Sequence, residues 1–224
     1  MAVASLSYNT LADLRAAPDY PANVPATLVG KVLVREAGCG RAKAVMGLLD
    51  TFGHSSDPVC AGAIRENADD AISDVTLLGF RYGAHEEVIQ LLEFCRNRDE
   101  YKPSAVSTLP LAFDTLAQYA LSHEKGTRPL VETLVFCQQD QEYANAVRDL
   151  SFVCLTNLLE EALQRSSAVP TLSPLVAFCR QNDFYGQTLE RVVDFLQSGD
   201  RWSGSYNVQP NMQKLNLCGP RPAP

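Results

Sequence analysis

LLEFCRNRDEY (residues 91–101), TLVFCQQDQEY (133–143) and LVAFCRQNDFY (175–185) are three copies of one pattern, each 42 residues after the last. Phe94-Cys95 recurs as Phe136-Cys137 and Phe178-Cys179, and Tyr101, Tyr143 and Tyr185 keep the same offset. Leu92, Leu134 and Val176 also fall in phase, as do Val88, Leu130 and Leu172; Phe52 lies one period upstream of Phe94. Matching apolar and aromatic positions at a fixed period of this length are the signature of a repeat architecture.

Each copy has the same internal logic. A short apolar-periodic segment comes first, over 85–97, 129–139 and 174–181. Thr127 and Ser173 stand where N-caps belong, and Pro174 suits a first helical turn. A polar turn follows, carrying Asn97, Asp99, Asp140 or Asp183. A longer helix comes next. Val147, Leu150, Cys154, Leu155, Leu158, Leu159 and Ala162 recur at three and four residues, which makes one apolar face. Val106, Leu109, Phe113, Leu116 and Ala120 repeat that spacing, as do Ile64, Ala68, Ala71, Ile72 and Val75 behind Asp57-Pro58. Pro110, inside the middle segment, is expected either to kink that helix or to delay its start.

Upstream, 25–36 and 41–52 read as two more helices around Gly38-Cys39-Gly40, and 10–17 supplies a short partner for the first. The total is about ten helices in five pairs, the terminal pairs being atypical as caps of a stack are. Alternating apolar runs, the mark of strands, do not appear between the turn signals. A 42-residue helix pair cannot bury both of its apolar faces alone, and stacked neighbours bury them.

PLVETLVFCQQDQEYANAVRDLSFVCLTNLLEEA, residues 129–162, resembles an armadillo repeat. Its Pro-Leu-Val-x-x-Leu start is similar to that family's second helix, and Leu155-Thr156-Asn157-Leu158 to its third. The resemblance implies that Asn157 lines a groove and meets a peptide backbone. The comparable stretch of the preceding copy offers Gln118. The two-helix pattern resembles HEAT repeats almost as closely. The expected fold is therefore all-α: a right-handed α-solenoid of about five two-helix repeats of ~42 residues, armadillo- or HEAT-like. It would occupy residues 1–198, with 1–40 as N-terminal cap and first repeat. Residues 199–224 carry four prolines and end in Gly-Pro-Arg-Pro-Ala-Pro, which reads as an extended or disordered tail. Arg201, Lys214 and Arg221 against Asp200 make that tail basic, and Trp202 and Tyr206 are its candidate anchors.

The 224 residues carry a formal net charge of −7, distributed unevenly. Residues 57–168 hold nine basic and eighteen acidic groups, and the flanking segments are each slightly basic. Phosphate binding needs a basic face, so nucleic acid is not an expected partner. An acidic body suits a protein partner with a basic surface. No apolar run approaches the roughly 18 residues of a membrane span. Seven cysteines, an odd count without short paired spacing, point to reduced thiols in an intracellular, cytoplasmic compartment.

No motif for chemistry stands out. Cys95, Cys137 and Cys179 share one phase, but stacked helices lie roughly 8–10 Å apart. That is too far for a disulfide or a shared zinc ion. They read as one layer of the core, and the in-phase aromatics read as packing that closes the turns. His54, His85 and His123 share no phase. Gly38-Cys39-Gly40 lacks the Gly-Lys-Ser/Thr that would cradle a phosphate. Adjacent carboxylates such as Glu160-Glu161 point about 100° apart on a helix, so they form no acid–base dyad. No cofactor, metal or catalytic residue is expected.

The polar sides of the long helices give the candidate partner-binding set: Glu66, Asp69, Asp70 and Asp74, then Asp114 and Gln118, then Asn157, Glu160 and Glu161. Aligned across repeats they would form an acidic groove of the kind stacked repeats use for binding. The expected function is a non-enzymatic interaction scaffold or adaptor, or a structural subunit of a larger assembly. The alternatives are a chaperone-like or regulatory armadillo protein with transient clients, and an enzyme on a helical-repeat scaffold.

Overall fold

The computed structural model describes residues 9–16, 20–21, 24–122, 127–148, 151–165, 168–198 and 208–217. Among them are twelve α-helices and no strand. None of these helices is long and apolar enough to cross a membrane. The chain divides into two compact units, Met1–Ala112 and Phe113–Pro224.

The first unit begins with α1 (Leu11–Arg15), a single turn closed by a capping box in which Thr10 and Asp13 bond each other's backbone. α2 (Ala26–Gly38) and α3 (Ala42–Phe52) follow, joined by a turn in which Gly40 takes φ +68°. A left-handed residue there costs glycine nothing and any β-carbon something. α4 (Pro58–Arg81) is capped by Asp57, whose carboxylate accepts the N–H of Val59 at 2.9 Å. α5 (His85–Arg96) and the first half of α6 (Lys102–Ser122) complete the unit.

Val45, Leu48, Leu49 and Phe52 of α3 recur at three and four residues and are fully or almost fully buried. Ile64, Ile72, Val75 and Phe80 of α4 and Val88, Leu91, Leu92 and Cys95 of α5 meet them. Each such side chain contributes roughly 1.5–3 kcal/mol by leaving water. That is why these amphipathic faces, more than helix propensity, hold the unit.

The second unit takes up the rest of α6, then α7 (Arg128–Cys137), α8 (Gln141–Arg148), α9 (Ser151–Leu163), α10 (Ala168–Arg180), α11 (Asp183–Ser198) and α12 (Val208–Lys214). α10 sits centrally, against α7, α9, α11 and α12. The core comprises Leu130, Leu134, Cys137, Leu158, Leu159, Leu172, Leu175, Cys179 and Val192.

The 42-residue phase is visible in three dimensions. Phe94 stacks on Tyr101 with centroids 6.0 Å apart, Phe136 meets Tyr143 at 6.0 Å, and Phe178 meets Tyr185 at 5.4 Å. Each pair spans the turn between two helices. Cys95, Cys137 and Cys179 are fully buried at equivalent places. The polar turn position repeats with altered chemistry. Asp140 accepts the N–H groups of Glu142 and Tyr143, and Asn182 accepts that of Tyr185. Arg98 instead lies over the Phe94 ring at 3.7 Å and pairs with Asp50.

Four local expectations change. Ser173 and Pro174 do not open a helix, because α10 begins at Ala168 and Pro174 lies inside it. Leu172, Leu175, Val176 and Cys179 form one buried face, and its packing outweighs the backbone bond that the proline cannot make. Thr127 does precede α7, but its N–H and hydroxyl both donate to the Thr171 carbonyl rather than capping the helix. Pro110 does not delay α6, which starts at Lys102 and runs through it. Within 199–224, residues 208–214 are helical rather than extended. Val208 and Met212, one turn apart, are buried, with Leu215 and Leu217 behind them. Asn211 fixes this helix by donating its amide to the carbonyls of Leu163 (3.0 Å) and Arg165 (2.8 Å) at the end of α9.

Candidate functional site

The second unit carries an open acidic cleft of about 400 Å³ between α9 and the second half of α6. Asp114 and Gln118 stand on one wall, one turn apart, and the Gln118 amide donates to Asp114 at 2.9 Å. Asn157, Glu160, Glu161 and Gln164 stand on the other wall. The helical spacing 157, 160/161, 164 puts these four on one face. Ala117, Leu121, Cys154 and Leu158 floor the cleft. Arg165 bonds both Glu161 and the Leu121 carbonyl, so its charge partly offsets the acidic wall at one end. Five of the residues singled out from sequence (Asp114, Gln118, Asn157, Glu160 and Glu161) thus share one concavity.

The other four lie in the first unit, on α4. Asp70 and Asp74 are exposed one turn apart. Asp69 accepts a hydrogen bond from the Ser104 hydroxyl, which ties α4 to the start of α6. Glu66 lies on a different surface, a groove between α2 and α4 that it lines with Lys31, Val34, Val59 and Asn67. Trp202 and Tyr206 lie outside the described residues.

The groove between α2 and α4 was missed in the sequence. Its signal was there: Val34 and Val59 fall off the buried stripes of their helices, and Gly30, Gly62 and Ala63 leave room beside them. Gln164 and the floor residue Cys154 were missed as cleft residues, because Cys154 also belongs to the apolar face.

Five of the described thiols are poorly suited to nucleophilic work. Burial pushes Cys95, Cys137, Cys154 and Cys179 up to about 12, the Asp114 carboxylate adding to the effect at Cys154. Burial and then the neighbouring Asp57 raise Cys60 to about 11. The thiolate is the reactive form, and all five resist forming it. Cys39 alone of the described cysteines is exposed. No three His, Cys, Asp or Glu side chains among the described residues gather as ligands of a metal ion. What the cleft offers is acceptors: carboxylates and side-chain amides over an apolar floor. These suit a cationic side chain whose stem lies on the floor.

Compared with protein-family models, with curated proteins and with solved structures, the chain has no significant match.

Proposed function

We propose that this chain is a non-catalytic, protein-binding helical-repeat module, an adaptor or a subunit of a larger assembly, whose acidic cleft receives a basic segment of its partner. The observation that carries this reading is the convergence of Asp114, Gln118, Asn157, Glu160 and Glu161 around one apolar-floored cleft. An extended segment with a lysine or arginine fits such a cleft, with its stem on Ala117, Leu121 and Leu158 and its charge between the walls. The recurring Phe–Tyr turns support the finer reading, an armadillo- or HEAT-like solenoid. The buried protonated thiols suit a reducing, cytoplasmic compartment. The acidic face disfavours nucleic acid.

The test is fluorescence anisotropy with labelled Lys/Arg-containing peptides and their neutral counterparts, followed by the variant Asp114→Lys/Glu161→Lys. The reading expects binding that weakens with salt, is absent for neutral peptides and falls roughly tenfold or more in the variant. Equal binding of neutral peptides, or none at all, sinks it. Cross-linking of the native partner should then map to residues 114–164.

A further inference from the structure

α2 and α4 leave an open groove of about 710 Å³ along their outer edge. The floor is made of small residues, Gly30, Gly62 and Ala63, and the rims expose Val34 (49%) and Val59 (66%). Aliphatic side chains so exposed beside an open concavity are what an association surface presents. Lys31 on α2 and Glu66 on α4 line the same groove, both are exposed, and neither is in an ion pair among the described residues.

The two helices run in the same sense. Cys60 Sγ donates to the carbonyl of Val24 at 3.3 Å, and farther along a β-carbon on Gly30 would meet Asn67 at 3.5 Å and Ala63 at 3.8 Å. Lys31, next to Gly30, therefore stands at about the level of Glu66, next to Asn67, on the opposite wall.

We propose that this groove is a self-association surface, on which a second copy of the chain docks about a twofold axis running along the groove. Such an axis exchanges the two walls without changing level. α2 of each copy then lies over α4 of the other, and Lys31 of one protomer faces the partner subunit's Glu66. The same pair forms a second time by symmetry, as an isologous interface requires. An axis across the groove would set α2 on α2 and forgo this cross-pairing. The arrangement of charge thus selects both the occupant and the axis. Gly30, Gly62 and Ala63 let the helices approach closely, and Val34 and Val59 are covered.

Sedimentation velocity of the full chain, from about 1 to 200 µM, reads the equilibrium directly at the strengths typical of small interfaces. The expected result is a concentration-dependent monomer–dimer transition. K31E and E66K should each raise the dimer Kd by roughly tenfold or more, since each puts like charges face to face. The double variant K31E/E66K should return to within about threefold of the native chain, and an equimolar mixture of the two single variants should associate more tightly than either alone. V59D should also weaken the dimer. Circular dichroism of each variant checks that the exposed changes leave the fold intact. A chain that stays monomeric throughout overturns the proposal and leaves the groove to a different protein. A dimer indifferent to the single charge reversals overturns it in favour of another face. Failure of the double variant to recover overturns the cross-pairing and with it the axis.

Discussion

Oε1 of Glu36 accepts the backbone N–H of Leu11 at 2.8 Å, across 25 residues of sequence. The other carboxylate oxygen accepts from Arg41 at 3.0 Å, and the Glu36 side chain is 2% exposed. One buried acid near the end of α2 thus holds the first N–H of α1 and the residue that opens α3. Negative charge at a helix N-terminus is favourable in itself. Glu36→Ala leaves the Leu11 N–H buried without its acceptor, and urea unfolding should show a loss of about 1–3 kcal/mol. Glu36→Gln keeps one carbonyl acceptor and should lose less. Equal losses would mean that packing, and not the hydrogen bond, carries the contact.

Gly79 of α4 is buried, and a β-carbon there would come within 2.3 Å of a methyl of Val88 on α5. Alanine favours a helix over glycine by about 1 kcal/mol, so on propensity alone Gly79→Ala would stabilise. The overlap decides the opposite sign, because Val88 is fully buried and its β-branched side chain has no room to turn. Gly79→Ala should destabilise by about 1–3 kcal/mol. In the double variant with Val88→Ala the two losses should not add. A neutral or stabilising Gly79→Ala would show that α4 and α5 give way easily.

The buried thiols set a pH prediction. Cys95, Cys137, Cys154 and Cys179 ionise at about 12 in the fold, against about 9 ordinarily, because burial disfavours their charged forms. The unfolded chain then releases these protons at about pH 9, while the folded chain retains them. Stability from this source is fully present below pH 9 and falls as the pH rises toward 12. Thermal unfolding between pH 8 and 10.5 should show Tm declining, and replacing the four by alanine or valine should flatten the slope. An unchanged slope would assign the decline to other groups.

Accessibility gives the same thiols a second readout. Iodoacetamide at pH 8, followed by peptide mass spectrometry, should label Cys39 quickly and Cys95, Cys137, Cys154 and Cys179 only after denaturant is added. Early labelling of Cys137 or Cys179 would show that α7 and α10 open under native conditions.

Asn211 donates to two carbonyls at the C-terminal end of α9, and Arg180 donates to the carbonyls of Leu215 and Asn216. These contacts, with Val208 and Met212, dock α12 on α9 and α10. Asn211→Leu leaves the Leu163 and Arg165 carbonyls without this donor, at a cost of about 1–3 kcal/mol. Hydrogen exchange should accelerate in 208–217 and at the end of α9. Exchange confined to 208–217 would make α12 a passive appendage.

The sequence by itself determined the all-helical character and the 42-residue spacing of the buried cysteines and of the Phe–Tyr pairs, although it read about ten helices where the described residues form twelve. Phe94, Phe136 and Phe178 with their tyrosines could be matched from the 42-residue offset alone, because burial against neighbours imposes the same residue types at the same phase. It also placed Asp114, Gln118, Asn157, Glu160 and Glu161 on the polar sides of their helices, since periodicity separates the wet face from the dry one. Which of those wet faces meet, and around what, depends on how helices pack, and that information is not local. Glu66 and Glu161 read alike in the sequence, as acids on a long helix. Packing puts Glu66 beside Val34 and Lys31 in a groove with α2, and Glu161 across a cleft from Asp114. Pro174 shows the same limit at the level of a single helix. The chain around it signals a helix start, yet the buried face from Leu172 to Cys179 carries the helix through it. α12 is the reverse case: a short segment in a Pro-rich tail becomes a helix because α9 and α10 offer it an apolar seat and free carbonyls. Local propensity is a matter of tenths of a kilocalorie for most residues and about 3 kcal/mol for an interior proline, whereas the several buried side chains of one helix face contribute about 1.5–3 kcal/mol each, so where the two disagree the summed tertiary contacts decide.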